Sequence, residues 1–130
     1  MLTISGAFST FAVPDLDSAR RFYRDQLGLD LRDEPQMGLL ELHVGRGEPV
    51  TIYPKPDHQP AVFTILNFLV DDVDRAVSEL NAAGIEMQRY DSPESGMTAN
   101  EHGVYRGQGP AIAWFLDPAG NILAVIERPR

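Results

Sequence analysis

Val13-Pro14-Asp15-Leu16-Asp17-Ser18-Ala19 and Val70-Asp71-Asp72-Val73-Asp74-Arg75-Ala76 are two spellings of one pattern, V-x-D-apolar-D-x-A, and the chain is written twice around them. The offset is 57 residues between Val13 and Val70, and 56 between Leu27-Gly28-Leu29 and Ala83-Gly84-Ile85. Each copy decodes alike. β-Branched and aromatic residues at 7–13 and 63–70 suit strands. An aspartate then stands ready to cap a helix, Asp15 or Asp17 in the first copy and Asp71 or Asp72 in the second. Leu16, Ala19, Phe22, Tyr23 and Leu27 form one helical stripe, as do Val73, Ala76, Val77, Leu80 and Ala83, which predicts helices over about 15–27 and 72–83. Gly28 and Gly84 follow, where a helix exit takes a left-handed residue. Three shorter strands complete each copy, at about 29–33, 39–44 and 49–53, then at about 85–90, 111–116 and 121–126. The expected fold is α+β: one domain over 1–130 made of two βαβββ modules related by a pseudo-two-fold axis. Module 1 covers about 5–54 and module 2 about 62–127, and the three prolines of 54–61 mark the hinge between them.

Composition narrows the function. At 130 residues, 43% apolar and 23% charged, the chain has material for a core without staples, and it has no cysteine for disulfides, thiolate metal sites or thiol chemistry. A net charge of −8 repels phosphate backbones and argues against a nucleic-acid partner. No apolar run approaches the ~20 residues of a membrane span, and the first fifteen residues lack a signal peptide's pattern. A cytoplasmic location is the expectation.

Strand parity assigns faces. If Gly45-Arg46-Gly47-Glu48 closes a hairpin pairing Val44 with Pro49, His43 faces Val50 and Glu41 faces Ile52. If the turn Asp117-Pro118-Ala119-Gly120 pairs Leu116 with Asn121, Phe115 faces Ile122 and Ala113 faces Ala124, with Trp114 on the helix side. The side away from the helices then collects Phe8, Thr10, Glu41, His43, Val50, Ile52, Phe63, Ile65, Asn67, Phe115, Ile122 and Ala124. A mostly apolar face with a few polar handles reads equally as a small-molecule cavity or as a second core. The polar, Gly-rich stretch from Asp91 to Pro110 reads as a lid or as disorder.

Paired βαβββ units, the block from Val13 to Leu29 and the Asp117-Pro118-Ala119-Gly120-Asn121 turn together resemble the vicinal oxygen chelate superfamily of glyoxalases, bleomycin-resistance proteins and extradiol dioxygenases, over essentially the whole chain. The resemblance implies curled mixed sheets around a shared cleft and association as a homodimer. It does not settle function, because this fold hosts both enzymes and non-catalytic drug binders. In the superfamily's metalloenzymes the first and fourth strand of each module supply His, Gln or Glu to a metal. Alignment on the shared motifs puts Phe8, Ile52, Ile65 and Ala124 at those positions, and none of these side chains can bind a metal.

Other candidates come from the residues themselves. Glu41 and His43, two apart on one strand, suit a base and its orienting carboxylate or a displaced metal, and equally a polar strand edge. His102 sits in the long loop and can reach over a cleft, whereas His58 in the hinge reads as solvated. Asn67 needs a partner for its amide among apolar neighbours. Arg106 can clamp a carboxylate or phosphate, or pair with an acid of the chain itself. The leading expectation is a metal-free binder of a small apolar or aromatic molecule, serving sequestration, resistance or sensing, with no cofactor and with Thr10, His43, Asn67, Arg106 and Phe115 at the ligand. The alternative is a glyoxalase-type lyase, isomerase or dioxygenase using Glu41, His43 or His102, and a purely structural domain is a third reading.

Overall fold

A computed structural model describes residues 1–94, 96–107 and 109–128. The chain divides into two compact units, one spanning Met1–Gln59 and one beginning at Pro60.

In the first unit, β1 (Thr10–Val13) leads into α1 (Leu16–Ala19), which continues as a π-helix over Arg20–Gln26. Asp15 caps it: its carboxylate accepts from the Asp17 N–H at 3.0 Å and the Ser18 hydroxyl at 2.7 Å. The π register shows in the Leu27 N–H bonding back to the Phe22 carbonyl, and nothing in the sequence signals it. Then come β2 (Asp30–Glu34), β3 (Leu39–His43) and β4 (Val50–Pro54), in a sheet ordered β1-β4-β3-β2. The helical stripe does what its spacing requires, burying Ala19, Phe22 and Tyr23 with Val13, Leu31, Leu40, Leu42 and Ile52. The rings of Phe22 and Tyr23 meet edge-on, 4.9 Å between centroids. On the helix's outer side Arg20 and Arg24 both reach Asp33 of β2 (2.7 and 3.2 Å), so those arginines are tied to the sheet and not merely solvated.

The second unit repeats the plan. β5 (Thr64–Val70) leads into α2 (Val73–Ala82), capped by Asp72 through the Arg75 N–H, and then β6 (Ile112–Leu116) and β7 (Ile122–Glu127) follow. In both units the first strand runs parallel to the last, and the last pairs antiparallel with its predecessor. The strand expected at 85–90 is reduced to a single bridge, Gln88 to Trp114, on the outer edge of β6. It takes the place that β2 holds beside β3 in the first unit. Gly28 and Gly84, with φ of 71° and 85°, end the two helices in the left-handed conformation that the repeat anticipates. Val73, Val77 and Leu80 of α2 are buried with Ile85, Ala113, Phe115, Leu123 and Val125.

Both hairpins differ from the expected register by one residue, and the difference moves side chains between faces. Leu42 pairs with Val50 and Leu40 with Ile52, so Glu41 faces Thr51. Ile52 lies in the core with no exposed surface, on the helix side with Phe11 and Leu40. In the second hairpin Phe115 pairs with Leu123 and Trp114 with Ala124. Phe115 is therefore a core residue, 1% exposed and stacked on Phe68 with centroids 6.4 Å apart. Trp114 moves to the opposite face.

Candidate functional site

The far face of the second sheet, away from α2, carries Trp114, Ala124 and Asn67 in register. A bulge between Thr64 and Leu66 turns Thr64 to the same side, where its hydroxyl accepts the Trp114 indole N–H at 2.9 Å. Tyr90 and Tyr105 meet the indole edge-on, with centroids 5.4 and 5.2 Å away. Trp114 and Tyr105 of this cluster line a cavity of about 230 Å³ together with Met97, Thr98, Arg106, Pro110, Ile112 and Ile126. Roughly 300–1,000 Å³ is usual for drug-sized ligands, so the space suits a smaller molecule, about one ring.

Hydrogen bonds tie together the described residues that precede β6. The Tyr105 backbone forms a bridge with Ile112, and Ser92 and Ala99 bridge to Met97 and Tyr105. Asn100 uses its side-chain oxygen to accept the His102 and Val104 N–H groups at 2.9 and 3.0 Å, the local turn bonding for which Asn is suited. Arg89 donates to the Ala99 and Asn100 carbonyls. At the centre, Asp91 accepts the Tyr105 hydroxyl at 2.8 Å and the Ala99 N–H at 3.1 Å and pairs with Arg89 at 3.1 Å, while the Tyr105 hydroxyl accepts from the Tyr90 N–H. Tyr105's bond, then Ala99's, hold Asp91 below the ordinary carboxylate value, and burial pushes the Tyr105 phenol up. Because the folded pKa of Asp91 is depressed, its hold on the segment is complete at neutral pH and is lost as pH falls through the folded value, below about pH 4. The protection factor of the Ala99 amide, its exchange normalised to the intrinsic rate at each pH, is expected to fall on acidification ahead of those of core amides. Asp91→Ala is expected to show that loss of protection already at pH 7.

Of the residues singled out in the sequence, Arg106 alone lines this cavity. Asn67 is exposed on the same face of β5 and Phe115 is on the other side of the sheet. His102 is solvent-exposed, 3.3 Å from Glu101. Thr10, Glu41 and His43 belong to the first unit, where Thr10, Thr51 and Glu41 share the far face. His43 Nε2 lies 3.8 Å from Glu41 Oε1, too long for a hydrogen bond, and is buried without a hydrogen-bond partner among the described residues. Trp114, Tyr105, Met97, Ile112 and Ile126 escaped the parity argument. Moving the hairpin register by one residue places Trp114 and Ile112 on this face, whereas Ile126 already shares the parity of Ile122 and Ala124.

The far-face positions on the first and last strands are Thr10, Ala12, Thr51 and Tyr53 in one unit and Thr64, Asn67, Leu69, Ile122, Ala124 and Ile126 in the other. None is a histidine or a carboxylate. Among the described residues no three His, Cys, Asp or Glu side chains gather at metal-binding distance. The donor set does not fit a divalent ion held as in the metalloenzymes.

A family model matches residues 7–125. The chain belongs to the Glyoxalase/Bleomycin resistance protein/Dioxygenase superfamily. Solved superfamily folds superpose over nearly the whole length. A glyoxalase family protein from Bacillus anthracis has a TM-score of 0.69 at 20% identity, covering 99% of this chain and 98% of that one. The antibiotic binding protein TnmS3 from Streptomyces sp. CB03234 gives 0.67 at 23% identity, over 99% and 100%. A lactoylglutathione lyase from Agrobacterium tumefaciens gives 0.63 at 23% identity, over 95% and 92%. A search among curated proteins found no significant match. At these identities the likeness speaks for the fold, which serves both a binder and a lyase. No helix among the described residues is long and apolar enough to cross a membrane.

Proposed function

We propose that this superfamily member is a metal-free binder of a small aromatic molecule, serving sequestration, resistance or sensing, a reading supported by the likeness of its fold to that of the antibiotic binding protein TnmS3. The observation that carries this reading is the cavity on the far face of the second sheet, lined by Trp114, Ile112 and Ile126 of the sheet and by Met97, Thr98, Tyr105 and Arg106 from the residues before β6. Aromatic ligands gain there from removal of apolar surface from water and from edge and face contacts with fixed rings. Tyr105, held by Asp91 and by its bridge to Ile112, is pre-ordered, which keeps the entropic cost of binding low. Self-association as a homodimer belongs to the same proposal, supported by exposed Val62 and Phe63 beside the edge strand β5 and Leu69 within it.

Trp114 is the chain's one tryptophan, so its emission reports on the cavity directly. Titration with single-ring aromatics is expected to quench or shift that emission saturably, in protein that carries no stoichiometric metal by elemental analysis. Ile112→Phe, which fills the cavity, is expected to weaken binding about tenfold or more while leaving circular dichroism unchanged. One equivalent of bound transition metal, or ligand affinity indifferent to Ile112→Phe, would overturn the proposal.

Proton chemistry by Glu41 and His43 is the second reading, favoured by the unpartnered His43 Nε2. It predicts a turnover abolished by His43→Gln, whereas the binding reading predicts that this variant leaves ligand affinity untouched.

A further inference from the structure

Resting on that reading of the cavity, we propose that its ligand is a single-ring aromatic monocarboxylate, and that Arg106 takes the carboxylate in exchange for Asp74. Among the described residues that line the cavity, Arg106 is the one that carries a formal charge, and the charge is positive in a chain of net −8. Its guanidinium donates to Asp74 Oδ2 at 2.6 Å, and the two side chains are 48% and 58% exposed. A pair this open to solvent contributes little to the fold and is cheap to exchange.

A ligand carboxylate offers the same guanidinium a planar, two-oxygen acceptor. It also brings a ring that leaves water against Trp114, Tyr105 and Met97, a gain Asp74 cannot supply. The exchange therefore favours a ligand with both parts. One negative charge suits the place better than two. The displaced Asp74 stays on the first turn of α2, with Asp71 and Asp72 just before it, so a phosphate dianion meets more repulsion than a monoanion. The cavity volume of about 230 Å³ limits the ligand to one ring with short substituents.

The test compares benzoate, its neutral isostere benzamide and the dianion phenyl phosphate, all read by Trp114 emission. Benzoate is expected to bind about tenfold more tightly than benzamide, with phenyl phosphate weaker than benzoate. Arg106→Gln is expected to erase the preference for benzoate while keeping benzamide affinity. Asp74→Asn, which removes the competing carboxylate, is expected to tighten benzoate severalfold and leave benzamide unchanged. Arg75→Gln, which removes a positive charge from the same helix outside the cavity lining, is expected to change neither ratio. Benzamide binding as tightly as benzoate, or a benzoate preference that survives Arg106→Gln, would overturn the carboxylate assignment and leave the aromatic cavity standing. Absence of any signal from benzoate, benzamide and the wider set of single-ring aromatics would overturn the cavity reading itself, and this assignment with it.

Discussion

Phe115→Ala is expected to lower unfolding free energy by about 3–5 kcal/mol, the range for removing a large ring from a packed core. Phe115 is 1% exposed, stacks on Phe68 and shares its face with Ala113, Leu123 and Val125 beneath α2. Collapse around the gap is limited, because α2 spans it from Val73 to Leu80 and the sheet pairing fixes the other side. Urea denaturation gives the magnitude, with Phe115→Leu falling between the variant and the wild type. The counterpart is Asn67→Leu, at an exposed position on the other face, expected to stay within about 0.5 kcal/mol. If Phe115 instead lined the ligand site, its loss would cost affinity and spare stability, the reverse of this expectation.

Asp117→Ala is expected to cost about 3 kcal/mol, although the change lies in a turn. Asp117 is 4% exposed. Its carboxylate accepts the Ala119 N–H, the Asn121 N–H and the Asn121 side-chain amide, each at 2.9 Å. Alanine leaves these donors without their acceptor, and a buried unsatisfied donor costs about 1–3 kcal/mol. Asp117→Asn keeps one carbonyl oxygen for the two backbone donors and sets an amide NH₂ against that of Asn121, so it is expected to fall between alanine and the wild type. Equilibrium denaturation of the three proteins gives the order. Equal stability of the alanine variant and the wild type would show that the turn holds without its carboxylate.

That turn also explains the face exchange. Asp117 pairs with Asn121 through the Asp117 N–H to Asn121 carbonyl bond at 3.1 Å, leaving the three-residue loop Pro118-Ala119-Gly120. Gly120 at φ 87° supplies the left-handed step that closes such loops. The pairing of Leu116 with Asn121 expected from the sequence leaves four residues in the loop. Shortening it by one shifts every cross-strand partner and carries the partners of Phe115 and Trp114 to the other parity. In the first hairpin the same one-residue shift sets Ile52 opposite Leu40, in the core.

Local chemistry decided much of this protein without help from tertiary contacts. The repeated Asp caps, the 3.6-period stripes and the exit glycines specify two helices, and the alternation around them specifies strands, because each of these signals acts within a few residues. The superfamily was legible for the same reason, since its motifs are those caps and turns. Two things needed the folded chain. Hairpin register depends on how many turn residues leave the ladder, a choice settled by buried bonds such as those of Asp117, and it alone decides whether Trp114 or Phe115 faces the cavity. The segment from Arg89 to Tyr105 has no periodicity to read. Its order comes from pairings such as Asp91 with Tyr105 and Arg89 with the Asn100 carbonyl, joining residues ten or more apart, which only a closed chain brings together.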